Sequence, residues 1–227
     1  VVGTSAGAVV GAAYASGLSL ARIQAAAMDM RLLSLMDFTA STQGIMRGNR
    51  LADWIDEVTG GRPLERFPLP FAAVATDLQS GQPVAVDSGP PGRAIQASAA
   101  VPGVNVPVAY GGGHLIDGGV TSLVPVRFAR AMGADVVVAV DIYCASPRPQ
   151  GLSSPSVLGW VLQTQSCQMA QAEKAEADLL IAPEVSVPGM SSPEGKRQVI
   201  RAGYQATREA LQQWQSPVPL PHRVAAR

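Results

Sequence analysis

An excess of charge of either sign is what this sequence most plainly lacks. Seventeen Lys and Arg residues balance seventeen Asp and Glu. That balance excludes the basic footprint of a nucleic-acid-binding domain and a polybasic tether to anionic membrane. Long hydrophobic runs are missing too. The longest aliphatic stretch, VVVAV at 136–140, falls far short of the roughly 20 apolar residues of a transmembrane helix. Cysteine is reduced to Cys144 and Cys167, isolated and without metal-type spacing, and two such residues do not make a disulfide framework. A reducing compartment is the default that follows, with a cytoplasmic or peripheral-membrane location favoured. Histidine, the usual base of a hydrolytic site, occurs only as His114 and His222. Neither an initiator methionine nor a signal-peptide pattern is present, so targeting is not legible, and a strand beginning at Val1 reads as cut from a longer protein.

What the sequence has is core-forming material. Its 227 residues are 47% hydrophobic and 15% charged, enough for one large α/β domain. Strand and helix signals alternate. PFAAVATDL and PVAVDSG read as a hairpin turned at SGQ, and VPVAY and HLIDGG as a second hairpin turned at GGG. SLARIQAAAMDMRLL is helical with Ser19 as N-cap, LADWIDEVTG is a short helix closed by glycine, and PGRAIQASAA begins a helix with proline in its first turn. DVVVAVDI is a β-branched run of the kind buried in a parallel sheet. ADLLIAP is a last strand, and the segment after it ends in an amphipathic helix. The expected architecture is a mostly parallel central sheet flanked by helices, one domain over 1–215, with 216–227 a proline-rich, disordered tail.

One stretch carries chemistry. Gly3-Thr4-Ser5-Ala6-Gly7, between strand-like VV and a helix of small residues, fits the G-x-S-x-G elbow that lifts a serine off the carboxyl end of a sheet. The nucleophile of such a turn is strained, so glycine is expected on both flanks. A serine hydroxyl needs a base. His222 lies in the proline-rich tail. His114 stands three residues from Asp117 on the same strand, so alternation sends the two side chains to opposite faces. The best-placed partner is Asp117 itself, at a strand end before Gly118-Gly119.

Ser5 in GTSAG together with Asp117 in DGG resembles the patatin-like phospholipases, whose active site is a serine–aspartate dyad without histidine. FAAVATDLQSGQPVAV, AIQASAAVPGVNVPV, HLIDGGVTSLVPV and ARAMGADVVVAVDI resemble that family's bacterial branch in the expected order, and GIMRGNRL also fits. The likeness covers residues 1 to about 142. It implies a three-layer α/β sandwich, with Ser5 as nucleophile and Asp117 as general base. Gly3 and Gly7 would shape the elbow, and Gly118 and Gly119 the turn holding Asp117. The family's glycine-rich oxyanion loop precedes the elbow and is not in this chain. The triple glycine at 111–113 sits in a hairpin and cannot replace it, which leaves the Ala6 backbone N–H as the oxyanion donor. A chain without that loop is expected to be nearly inactive on its own, since one lost donor costs about 10²–10³ in rate.

The implied activity is hydrolysis of lipid or fatty-acyl esters through an acyl-enzyme, without metal or other cofactor. An acyltransferase on a related serine fold and a non-catalytic lipid-binding module remain alternatives. Val101, Val104 and Val106 are candidates for the acyl path, or else plain packing. The stretch from Leu32 to Met46 is a candidate apolar rim for peripheral membrane contact, unless its leucines finish a helix packed on the sheet.

Overall fold

A computed structural model describes residues 1–147, 151–185 and 192–215. The tail from 216, with His222, lies outside the described residues. In chain order the elements are β1 (Val2–Thr4), α1 (Ala6–Ala15), α2 (Leu20–Asp29), α3 (Asn49–Thr59), β2 (Ala72–Asp77), β3 (Pro83–Val86), α4 (Pro91–Ser98), β4 (Val108–Tyr110), β5 (Gly113–Asp117), α5 (Val126–Ala131), β6 (Val138–Val140), α6 (Ser154–Lys174), β7 (Leu179–Ile181) and α7 (Pro193–Gln213). Element order matches the sequence reading. Ser19 caps α2 by accepting from the Arg22 N–H, and Gly60 closes α3 in the left-handed conformation.

The sheet is mixed rather than mostly parallel. β1 pairs parallel with β2, whereas β2–β3, β2–β5 and β4–β5 are antiparallel. The two hairpins legible in the sequence oblige this, because a tight turn can only return its strand antiparallel. β6 and β7 form a separate parallel pair. β6 is not the buried strand its composition suggested. Val138 and Val140 point outward, the latter 54% exposed, because only β7 pairs with it among the described strands.

β2 is the organising strand. Its residues from Ala72 to Thr76 are all buried. Phe71, Ala73 and Ala75 join Ala8, Ala12, Ile55, Ile95 and Ala97 in one core, so one face of the sheet is covered by α1, α3 and α4. Small residues let α1 approach closely. A Cβ on Gly11 would already stand 3.1 Å from the Phe71 ring. By strand alternation Val74 and Thr76 face the other way, where the Thr76 hydroxyl meets that of Thr121 at 2.8 Å. Behind that turn lies α6, whose buried Glu173 accepts from the Ser122 hydroxyl at 2.9 Å. Helices therefore flank the sheet on both faces.

Register places two strand ends against each other. Ala73 and Val74 pair with both β1 and β3, while Ala75 and Thr76 pair with both β3 and β5. A strand has two edges, so β1 and β5 share the edge opposite β3. Thr4 sits beside Val74 and Asp117 beside Ala75. The carboxyl ends of β1 and β5 thus meet head to head.

Candidate active site

That meeting point explains the elbow. β1 cannot continue past Thr4, because the next place along β2 is held by Asp117. The chain leaves the sheet at Ser5 with φ 52° and ψ −118°, and Ser5 is the only non-glycine residue at positive φ among the described residues. Such a backbone costs on the order of 1–3 kcal/mol and persists only where its surroundings hold it. They do so through hydroxyl and backbone groups. The Ser5 N–H donates to Ser98 Oγ at 2.9 Å, and Ser98 Oγ donates in turn to the Val74 carbonyl at 2.6 Å. The Ser5 carbonyl accepts from Ala8 N–H at 3.0 Å and opens α1. Thr4 Oγ1 donates to the Ser122 carbonyl at 2.8 Å.

The two elbow glycines differ. A Cβ on Gly3 would overlap the Gly7 carbonyl, so position 3 has no room for one. A Cβ on Gly7 would meet nothing within 4 Å. The expectation that both flanks demand glycine therefore holds on one side only. Ala6 is exposed and is the first residue of α1. Its N–H has no carbonyl four residues back within the helix and stands at the positive end of the helix dipole.

Asp117 is held differently. The residue is 7% exposed, and its carboxylate accepts from the Gly119 N–H at 2.7 Å. Its backbone N–H donates to Ala100 O at 2.9 Å, and its carbonyl accepts from Thr76 Oγ1 at 3.0 Å. Burial pushes its pKa up from 3.8 to about 6, against the opposing pull of the Gly119 amide and the Ser5 hydroxyl. Both following glycines are needed here. A Cβ on Gly118 would overlap the Val74 carbonyl, and one on Gly119 would stand 3.0 Å from Asp117 Oδ1.

His114 is exposed and paired across the hairpin with Ala109, away from Asp117. Val101, Val104 and Val106 are half-buried in the loop between α4 and β4. There the Val104 carbonyl accepts from Ile45 and Met46, and the Val106 N–H donates to Met46 O.

Three features escaped the sequence reading. Ser98 is fully buried, and its only sequence signal was a hydroxyl in a run of small apolar residues, where a buried polar group must find a partner. Tyr143, after β6, has its phenol pKa raised first by burial and then by the negative charge of Asp117, which puts it in the same local field. No sequence signal marked it. The cysteines, expected as isolated, are joined. Cys144 and Cys167 form a disulfide with Cα atoms 5.6 Å apart, tying the Tyr143 loop to α6. Their spacing could not show this, because it is the packing of α6 that brings Cys167 to the loop. The cysteines thus give no support to a reducing compartment. Gln163 ties the same loop down, donating to the carbonyls of Tyr143 and Ser146. Asp141 anchors its start. Burial would raise that carboxyl, but Lys174 at 2.8 Å and the N–H groups of Tyr143 and Cys144 outweigh it and hold it below the usual range.

The family model described as patatin-like phospholipase matches residues 1–130, from the elbow through the Asp117 turn to α5. The chain belongs to the patatin-like phospholipase family. An uncharacterized NTE family protein of Mycobacterium tuberculosis is 34% identical over 159 residues, covering 69% of this chain and 44% of that protein. A second NTE family protein of the same species is 31% identical over 142 residues, covering 62% of this chain and 24% of its own length. The patatin-like phospholipase domain-containing protein 7 of Rattus norvegicus is 30% identical over 148 residues, covering 62% of this chain and 11% of that protein. The chain thus spans less than half the length of each of these relatives. The mixed sheet flanked by helices agrees with the α/β fold of that family.

Proposed function

We propose that this patatin-like domain hydrolyses acyl esters of lipids, with Ser5 as nucleophile and Asp117 as its base. The observation that carries the reading is the pairing of a strained serine with a buried carboxylate whose pKa is raised to about 6. An ordinary carboxylate is a weak base at neutral pH. One with a pKa near 6 accepts a proton more readily and is still mostly ionised at pH 7. Ser5 Oγ attacks the ester carbonyl carbon as its proton passes to Asp117. Collapse of the tetrahedral intermediate breaks the bond to the alcohol oxygen, which takes that proton and leaves. Water then attacks the acyl-serine, giving its proton to Asp117. The acid is released, and the proton returns to Ser5. The Ala6 N–H supports negative charge on the carbonyl oxygen. Rate should rise with pH through about 6 and level off above it.

Labelling of the full-length protein by a fluorophosphonate tests the nucleophile. Labelling abolished by Ser5→Ala supports the reading, and labelling that survives it refutes Ser5. Hydrolysis without transfer to added alcohols separates this reading from an acyltransferase.

Access by an insoluble lipid is assigned to the 32–46 segment. Its leucines do not finish a packed helix. α2 ends at Asp29, and Leu33 and Phe38 are 80% and 70% exposed, with Leu32 and Ile45 also exposed. Leu33→Asp with Phe38→Asp should slow hydrolysis of phospholipid vesicles by at least about tenfold, as expected for losing two apolar contacts with the bilayer. A short soluble ester should be spared. Equal losses on both substrates would remove the rim from the proposal.

A further inference from the structure

A cavity of about 670 Å³ opens between the 39–42 loop, the start of α3, α4 and the segment leading into β4. It is of a size that holds small organic ligands. Two guanidinium groups line it, Arg47 and Arg93, and no carboxylate does. Neither arginine is ion-paired among the described residues, where the paired cations are Arg127, Arg130, Lys174 and Arg197. The carboxylate of Asp37, close by in the chain, is turned to the N-terminus of α3. It accepts there from the N–H groups of Gly48, Asn49 and Arg50.

Arg93 is held through its guanidinium, and Arg47 chiefly through its backbone. Gln96 is 5% exposed, and its amide is fully committed to the cavity wall. Its Nε2 donates to Arg47 O at 2.8 Å and Asn49 Oδ1 at 3.0 Å, and its Oε1 accepts from Arg93 Nη1 at 2.9 Å. Arg93 Nη2 donates to Ala109 O at 2.8 Å, and Arg47 Nε donates to Thr39 Oγ1 at 3.1 Å. Each guanidinium carries five N–H donors, so both keep several to offer. The backbone beneath them is tightly fitted. Gly44 lies so close to Asn105 that a Cβ would stand 2.5 Å from its carbonyl carbon, and a Cβ on Gly48 would press on Gln96 at 3.2 Å. Two cations lining one cavity without a counter-charge, one of them braced, repel each other. An oxyanion between them removes that repulsion and matches the forked donor geometry of arginine.

We infer that this cavity is a binding site for a phosphate ester, with Arg47 and Arg93 holding the phosphate. The rest of the volume would take an attached polar group against the hydroxyls of Thr39, Ser41 and Thr42. α4 joins this site to the elbow, since it carries Arg93 near its start and ends at Ser98, the acceptor for the Ser5 N–H. The same chemistry is offered by the headgroup of a phospholipid and by a free phosphorylated metabolite. The first source rests on the lipid-hydrolase reading, and the second does not.

Calorimetric titration of the full-length protein with glycerol 3-phosphate tests the site without any turnover. Arg47→Gln should weaken binding by about tenfold or more, the usual loss for a charge-assisted contact, and Arg93→Gln by a similar factor. Arg47→Lys should restore part of it. Arg47→Gln keeps the test sound if Arg93→Gln fails to fold, because the Arg47 side chain makes one hydrogen bond among the described residues and is exposed. Absence of glycerol 3-phosphate binding in the wild type, or unchanged binding in Arg47→Gln, overturns the proposal. A larger rise in KM for dihexanoyl phosphatidylglycerol than for p-nitrophenyl butyrate identifies the occupant as a lipid headgroup. Equal KM effects with binding lost identify a free phosphorylated ligand. Failure of the lipid-hydrolase reading would leave both esters uncleaved and the titration intact.

Discussion

Ser5 and Asp117 come together beside the same stretch of β2, yet the protein holds them by opposite means. Ser5 is held in an unfavourable backbone by neutral groups: the Ser98 hydroxyl, its bridge to Val74 and the steric gap left by Gly3. Asp117 has an ordinary backbone and an unfavourable environment, a carboxylate removed from water with little to compensate it. Both arrangements lower the stability of the fold, one through conformation and the other through desolvation. Only the second depends on pH. The difference teaches where each residue's reactivity comes from, and substitutions can separate the two.

The largest effect is expected at the serine. Ser5→Gly should reduce ester hydrolysis by a factor on the order of 10⁴ or more, as for loss of a nucleophile. Because glycine accepts positive φ freely, the same variant should be more stable than wild type by about 1 kcal/mol at pH 3.5, and by less above about pH 6, where the Asp117 carboxylate loses the Ser5 hydroxyl. Chemical denaturation across pH would show it.

Asp117→Asn should lose activity on a similar scale, about 10⁴, but its stability should follow pH. A carboxyl with a pKa of 3.8 unfolded and about 6 folded binds protons more tightly in the native state, so wild-type stability falls as pH rises through that interval. Below pH 3.8 the penalty is absent, and above about 6 it is complete, on the order of 3 kcal/mol. The asparagine variant escapes it. It should be more stable than wild type at pH 8 by about 1–3 kcal/mol and no more stable at pH 3.5. A pH-independent gap would show that the carboxylate is not desolvated.

Ser98→Ala sharpens the other side of the comparison. It leaves the Ser5 N–H and the Val74 carbonyl without their bridge, which should cost about 1–3 kcal/mol of stability. Activity should fall through kcat, with KM little changed, as the elbow loses its anchor. The smallest effect is expected at His114→Ala, within a few-fold of wild type on a soluble ester. A loss near 10⁴ there would mean that a histidine, and not Asp117, is the base.

Much of this was readable from residues alone. Turn glycines and β-branched runs gave the element order, because each hairpin is decided by a few neighbouring residues. Ser5 and Asp117, the proposed reacting pair, were singled out from local motifs for the same reason. What escaped depends on packing over long distances. The shared edge of β2 follows from register and not from composition. Ser98 announces its role only once α4 lies across the elbow, and Cys144 meets Cys167 only once α6 is in place. β6 looked buried by its valines, yet burial is a property of neighbours. Gly7 shows the reverse error, a motif position whose glycine the geometry does not need.

The head-to-head meeting of β1 and β5 also bears on how the chain reaches its native state. The β2–β3 hairpin closes over a few residues and can form early. β1 must return to β2 from residue 2 to residue 72, and β5 from residue 117 to residue 75. Closing long loops is slow, so pairings of this kind gather late along a folding route. Ser5 and Asp117 touch only after both closures are complete. Ester hydrolysis regained during refolding is therefore expected to lag behind the return of secondary structure, with the proposed catalytic pair among the last contacts to form.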